Sequence, residues 1–322
     1  MTADILFEKY KAVKPSSLKW ERNVDKISDT ATIVIPALCR MKNISGKYEY
    51  LPTRLKFTEG QKVEIKAGYD GKNVRRFLGF IKRINFTVPL EIECEGYAYL
   101  LRKLMFKNKS YLNTTVKAIL KDVIIDTAII LSDKIPDIPI PKVQFKNFTR
   151  LQVLEYFKEK CLLTVYFNFN VLYVGLLATE PKEVVKHRLN WNVIKDGELL
   201  FNADKEFSNV NLVLDGRNQN GTRTQHKSKE VQAGNEKHLN LYTIKDPAWR
   251  QKIVENQKLI LNNKGYTGSI TAFLHPYCEP GMATDIIDKV YAERNGRYFI
   301  ESVSGSFSKS GGRQKIGIGF SL

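Results

Sequence analysis

EGQKVEIKAGYDGKNVRRFLGFIKRINF, residues 59–86, and EPGMATDIIDKVYAERNGRYFIESVSGSF, residues 279–307, decide how this chain is read. Each stretch opens on an acidic, Gly-containing turn, Glu59-Gly60 in one and Glu279-Pro280-Gly281 in the other. An apolar-alternating segment follows, and then a polar turn with Gly, Asp70-Gly71 or Asn295-Gly296. A basic residue, Arg76 or Arg297, then leads a second apolar run. Alternation with period two is the signature of a half-buried strand, and Gly beside a polar residue marks the turn between two such strands. Two similar β-units in one chain point to an internal duplication. Duplication lets a trimer present six similar surfaces, which bears on assembly rather than on catalysis.

Outward from the first unit the signals stay β. Residues 30–35 are rich in β-branched side chains between Asp29 and Pro36, and 62–67, 77–84 and 90–94 alternate. Short strands between Gly, Pro and Asn turns predict a small barrel or sandwich, with Gly79 at a bulge or tight bend. Near Asn113 the period changes. Val116, Ile119, Leu120, Val123 and Ile124 predict a helix over 114–130 capped by Asn113 or Thr114. Thr149 caps a second helix that runs to 161, and residues 163–177 predict a hairpin turning at 168–170. β character returns after residue 190, with a strand at 209–214 and a closing strand over 314–322. Between them, GRNQNGTRTQHKSK (residues 216–229) is polar, basic and free of large apolar groups, which predicts a loop. Asp246-Pro247 opens a helix with Asp as N-cap and Pro at the first helical position, and Gly265 is a stop signal. The fold class is therefore α+β, mainly β. The expected division is a β-barrel-like domain over 1–105, an α+β domain over 106–190, and a second β-barrel-like domain over 191–322 with a helix near 247–262.

Bulk properties bound the function. The 322 residues are 43% hydrophobic and 26% charged, ordinary for a folded soluble protein. A net charge of +17 points to a polyanionic or acidic neighbour, or to a generally basic solvated surface. Cys39, Cys94, Cys161 and Cys278 lie far apart without metal or redox spacing, which predicts buried thiols. The N-terminus lacks an apolar signal-peptide core, and no run of about 18 apolar residues exists to span a membrane. Synthesis in a cytoplasm follows as the expectation.

No catalytic set stands out. His187, His226, His238 and His275 share no metal spacing, and His275 reads as a strand-end residue. Glu91, Glu93 and Glu95 fall on one face of a strand, where three like charges raise a pKa or hold a cation, or simply form a solvated edge. The solvated edge is the preferred reading, as it is for Asp285 and Asp288. Residues 304–312 contain Ser and Gly but neither a nucleophile elbow nor a phosphate loop. No catalytic, cofactor-binding or metal-binding residue is assigned, and neither an enzyme nor a cofactor is expected. The candidate basic lumen or partner surface comprises Lys72, Arg75, Arg76, Lys82, Arg83, Arg217, Arg223, Lys227 and Lys229. Phe77, Phe80 and Phe86 interleave with the first group, as base-stacking aromatics do, but their alternation also suits a strand's core face.

The order of these elements resembles the tail hub of contractile-tailed bacteriophages, the late control protein D family, and is similar to the hub part of the type VI secretion spike. Glu59-Gly60 ahead of Val63-Glu64-Ile65, FLGFI at 77–81, GYAYLLRKL at 96–104 and Pro280-Gly281 with GRYFIESV at 296–303 carry the resemblance. It implies a structural virion protein without enzymatic activity. Two barrel-like domains per subunit would give a homotrimer, a pseudo-sixfold ring that adapts the tail tube to the threefold spike. Phage DNA or the tape-measure protein would pass through the ring at ejection. Partners are a second and third copy, the spike protein, and the tail tube or adjacent baseplate proteins. The chain ends after its last strand, so no appended spike or lysozyme-like domain is expected, and the 216–229 loop is expected to order against a baseplate neighbour. The alternatives are a basic nucleic-acid-binding protein and, third, a peptidoglycan hydrolase.

Overall fold

Period-two alternation buries Val63, Ile65 and Ala67 from the Lys62–Tyr69 strand, and Ile92 and Cys94 from the Leu90–Glu95 strand, in one core. The computed structural model describes residues 2–11, 13–43, 45–53, 56–177, 183–202, 211–218, 220–228, 236–261 and 265–322. Strands dominate, with four α-helices among the described residues, so the α+β, mainly β class holds.

Duplication extends well beyond the two stretches that announce it. The first unit comprises, in chain order, Thr2–Phe7, Ser17–Asn23, Thr30–Ile35, Lys62–Tyr69, Lys72–Asn85 and Leu90–Glu95. The second comprises Val184–Arg188, Val193–Asn202, Gly265–Ala272, Ala283–Ile287, Gly296–Ser308 and Gly311–Ser321. In both units the strands neighbour one another in the order first, fourth, fifth, sixth, third, second. One difference is that the first strand runs antiparallel to the fourth in the first unit and parallel to it in the second.

Details repeat as well. The Gly60 N–H donates to the Ile81 carbonyl (2.8 Å) and the Ile81 N–H to the Gln61 carbonyl (2.9 Å). In the second unit the Gly281 N–H donates to Ile300 (2.9 Å) and the Ile300 N–H to Met282 (2.8 Å). Both glycines need a positive φ, +85° and +90°, which L side chains rarely adopt. Each fifth strand then bulges just after that isoleucine, between Ile81 and Arg83 and between Ile300 and Ser302. A bulge there bends a long strand so that it can leave one neighbour for another. Gly79 lies just before the first bulge, where a Cβ would stand 2.2 Å from the Glu95 carbonyl oxygen.

The units join through an antiparallel ladder between Ser17–Asn23 and residues 302–307 of the second unit, which makes one continuous sheet of 12 strands. At its centre Trp20 faces Gly305, and a Cβ on Gly305 would stand 2.0 Å from the indole. The middle of the chain packs around another core, which Leu78, Tyr97 and Leu101 also enter. Helices Val116–Ile124 and Arg150–Lys160 lie with the Lys109–Thr115/Pro139–Phe145 ribbon and the Thr164–Asn168/Val171–Gly175 hairpin around Leu120, Phe145, Leu154 and Phe157. Leu214, Leu241, Ile253 and Val254 join that same core.

Two local expectations are corrected. The helix predicted over 114–130 is only Val116–Ile124, capped by Thr115, because Thr114 and Thr115 are drawn into the ladder against Ile140 and Pro139. The predicted loop over 216–229 is largely a β-ribbon, in which Asn211–Arg217 pairs with Arg223–Lys227 around a turn at Gly221. Other expectations hold. Thr149 forms a full capping box with Gln152, and Asp246 caps the Pro247–Leu261 helix by accepting from the Trp249 N–H (2.9 Å).

Replacing Gly305 with Ala is expected to destabilise the chain by about 1–3 kcal/mol through overpacking against Trp20. Urea denaturation measures it. The added replacement Trp20→Leu is expected to recover part of the loss.

Candidate functional site

The predicted basic residues divide into three groups. Arg75, Lys82, Arg83 and Lys227 reach the surface but already have carboxylate partners: Glu64 (2.6 Å), Glu95 (3.7 Å), Glu93 (2.8 Å) and Glu236 (2.9 Å). Lys72, Arg217 and Arg223 have no carboxylate partner among the described residues; Lys72 stands at a hairpin turn and the two arginines face each other across the ribbon. Arg217 and Arg223 border an open cleft with Asp215, Gln225 and His238. The structure thus places the 72–83 group on the large sheet and the 217–227 group on the three-stranded sheet, as separate patches. Lys229 lies outside the described residues.

Arg76 departs from the expected surface and is buried. It is the extra residue of a bulge, since Ile65 opposes Phe77 while Lys66 opposes Arg75. Turned inward, its guanidinium donates to the Leu274 carbonyl (2.6 Å), the Ala67 carbonyl (3.3 Å) and Gln314 Oε1 (3.4 Å). It also lies over the Tyr277 ring. Leu274, Tyr277 and Gln314 belong to the C-terminal half, so Arg76 ties the first unit to the second.

A stronger tie carries no signal in the sequence. Arg22, only 3% exposed, sits in the ladder between the units opposite Val303. It donates to Asp29 Oδ2 (3.2 Å) and Asn168 Oδ1 (2.6 Å), and it lies 3.6 Å from Glu279 Oε2. Its guanidinium also stacks 4.1 Å from the Phe169 ring centre. Asn168 donates to Glu279 (3.1 Å), as does the Tyr277 hydroxyl (3.0 Å). One cation therefore holds the first unit, the middle hairpin and the Gly281 turn of the second unit. Burial pushes the Asp29 carboxyl up to about 6 despite the pull of Arg22. The buried Arg250 plays a similar part locally: it donates to the Ile244 carbonyl (2.8 Å), the Arg217 carbonyl and the Thr224 hydroxyl, and so fastens the basic ribbon to its helix. Only the clustering of conformation-specific partners reveals these arginines; the sequence gives them no distinguishing pattern.

The acidic strand is not an edge. Leu90–Glu95 lies between Thr30–Ile35 and Lys72–Asn85, and Glu95 is buried with Arg102 (2.6 Å) and Lys82 as partners. Hydrogen bonding from Asn85 and the nearby Arg83 hold Glu93 below the usual carboxylate range, so it stays ionised. Cys278 and His187 approach to 3.9 Å, a contact absent from the sequence expectations. Burial pushes the thiol up to about 12 and the imidazole down to about 4, so both stay neutral near pH 7 and the thiol is not activated. His187 is instead fixed through Nδ1 by the Thr284 hydroxyl (2.7 Å). Among the described residues no cluster of His, Cys, Asp or Glu can hold a metal ion, and no helix is long and apolar enough to cross a membrane.

This architecture, two repeats of a six-stranded unit flanking a small α+β body, is shared with phage tail and spike-hub proteins. The tail protein of Neisseria meningitidis MC58 superposes with a TM-score of 0.68 at 14% identity, covering 98% of this chain and 95% of that one. The 43 kDa tail protein of prophage MuSo2 from Shewanella oneidensis gives 0.65 at 14% identity, covering 98% and 97%. An Escherichia coli component of the type VI secretion system, described as similar to the bacteriophage T4 tail proteins gp27 and gp5, gives 0.59 at 10% identity, covering 99% and 76%. At these identities the likeness is one of fold. No protein-family model matches the sequence, and no curated protein matches it.

Replacing Arg22 with Leu leaves Asp29 buried without its cation, and a loss of about 3–5 kcal/mol is expected. Adding Asp29→Asn is expected to recover part of it, and both are read from denaturant midpoints. Glu301, the bulge residue of the second unit, offers a pH test. Burial, with Asp25 nearby, pushes its carboxyl from 4.5 up to about 7. The folded chain therefore keeps a proton there that the unfolded chain has lost. Stability should fall as pH rises from about 4.5 to about 7 and level off above. Glu301→Gln is expected to remove that part of the decline and to raise the unfolding midpoint at neutral pH.

Proposed function

We propose that this chain is the baseplate hub of a contractile phage tail or a prophage-derived relative, a structural protein of the late control protein D kind. Three copies form a ring in which the units over 1–105 and 191–322, each barrel-like, alternate as six similar wall segments. The middle domain over 106–190, apart from the Val184–Arg188 strand that belongs to the second unit, stands outside that wall. One side of the ring meets the sixfold tail tube or adjacent baseplate proteins, the other meets the threefold spike, and DNA or tape-measure protein passes through on ejection.

The observation that carries this reading is the repetition of one six-strand pairing order within one chain, in a fold shared from end to end with prophage tail proteins. A monomer has no use for two equivalent wall units, whereas a threefold assembly that must meet a sixfold tube does. Charge supports it too. Several basic residues are already neutralised by carboxylates, which lowers the number of phosphates the surface can hold at once. Weak, salt-sensitive contact suits a channel through which DNA must slide.

Light scattering on the purified protein, alone and with its spike protein, measures the assembly. A mass about three times 37.0 kDa per hub is expected. A monomer under both conditions contradicts the proposal.

A further inference from the structure

The ladder that joins the two units within the chain has a counterpart that the chain leaves open at both ends. Within the chain, the second strand of unit one (Ser17–Asn23) pairs with residues 302–307 of the fifth strand of unit two, on the side where that strand has already left Ala283–Ile287. Duplication predicts the reciprocal pair: the second strand of unit two against the fifth strand of unit one. Val193–Asn202 is the terminal strand of the sheet, bonded on one side to Gly265–Ala272 and with no strand on the other among the described residues. Residues 83–85 pair with Leu90–Glu95 on one side, and among the described residues no strand lies on the other, because Lys62–Tyr69 ends at Phe80. Leu200 (66%) and Phe201 (56%) are exposed on one edge, and Val88 (85%) is exposed just past the end of the Lys72–Asn85 strand. An open strand edge is a ready template for another strand.

We infer that Val193–Asn202 of one copy pairs antiparallel with residues 83–87 of a second copy, closing the proposed ring by the same ladder that joins the units inside each chain. The inference rests on the ring reading above. Its register follows from the shared bulges. Ile81 corresponds to Ile300, so Asn85, Phe86 and Thr87 correspond to Ser304, Gly305 and Ser306. The pairs Trp20↔Ala31 and Leu199↔Gly268 occupy equivalent places, so Leu199 corresponds to Trp20, Glu198 to Lys19 and Leu200 to Glu21. The intrachain pairs Glu21↔Ser304, Trp20↔Gly305 and Lys19↔Ser306 then translate into Leu200↔Asn85, Leu199↔Phe86 and Glu198↔Thr87 between copies. Volumes agree with this register. Where one ladder sets the large Trp20 against Gly305, the other sets the smaller Leu199 against the large Phe86. The occupant is a second copy because duplication makes the outer edge of residues 83–85 the equivalent of the edge that Ser17–Asn23 covers within the chain.

Disulfide trapping tests the register. Leu200→Cys with Asn85→Cys, and separately Glu198→Cys with Thr87→Cys, place thiols directly opposite each other. Leu200→Cys with Phe86→Cys shifts the pair by one residue and puts the thiols on opposite faces. Each variant is oxidised in whichever preparation, alone or with the spike protein, holds the assembled form, and is run on a denaturing non-reducing gel. Covalent dimers and trimers from the first two pairs, and monomer from the shifted pair, are expected. An assembled trimer that yields no cross-link from either in-register pair overturns this junction and leaves the ring reading standing. Cross-linking equally efficient in the shifted pair also overturns it. Absence of any assembled form overturns both.

Discussion

Everything else in this fold depends on the ladder between residues 18–23 and 302–307, and on the cation held within it. Two copies of a six-stranded unit could sit beside each other in many ways. Strand pairing fixes their spacing and register, and Gly305 admits Trp20 to the centre of the seam. Arg22 then joins this seam to the Phe169 hairpin and the Glu279 turn. A buried guanidinium is costly unless its donors are met, and here they are met by groups from three parts of the chain. The geometry is consequently specific: a shift of any one part strands a charge. Arg76, aimed at Leu274 and Gln314, repeats the device a short distance away.

The same logic explains how a chain of net charge +17 stays folded. Many surface cations stand beside carboxylates on neighbouring strands, as with Arg75–Glu64, Arg83–Glu93 and Arg297–Asp285. Such exposed pairs add little stability individually, but they cancel local repulsion along strands that must lie close together. The two most consequential cations, Arg22 and Arg250, are not at the surface at all. The surface pairs are already subtracted in the net charge, so the surplus of +17 lies on cations other than these.

Much of the fold was legible because it is written locally. Glycine turns at Gly60 and Gly281, alternation at Val63-Ile65-Ala67, and caps at Thr149 and Asp246 each express a short-range physical requirement, and each stands where the sequence puts it. The misses are cases where distant groups decide. Polarity made 216–229 look like a loop, yet Arg250 beneath it and Asn211–Arg217 beside it supply the partners that make most of it a ribbon. Residues 109–115 became a strand because 139–145 lies alongside. Arg76 reads as one of a surface cluster until a bulge, itself a product of pairing register, turns it inward. The full six-strand repetition is not legible in the sequence, since the insertions between equivalent strands differ in length and only the pairing order reveals it.

Two units of the same strand order in one chain are proposed to build one continuous ring wall. Electron microscopy of the assembled protein, averaged without imposed symmetry, tests it most directly. The account expects a threefold ring whose inner wall shows six nearly equal segments at low resolution. A particle with three separate lobes and no continuous inner wall would contradict it.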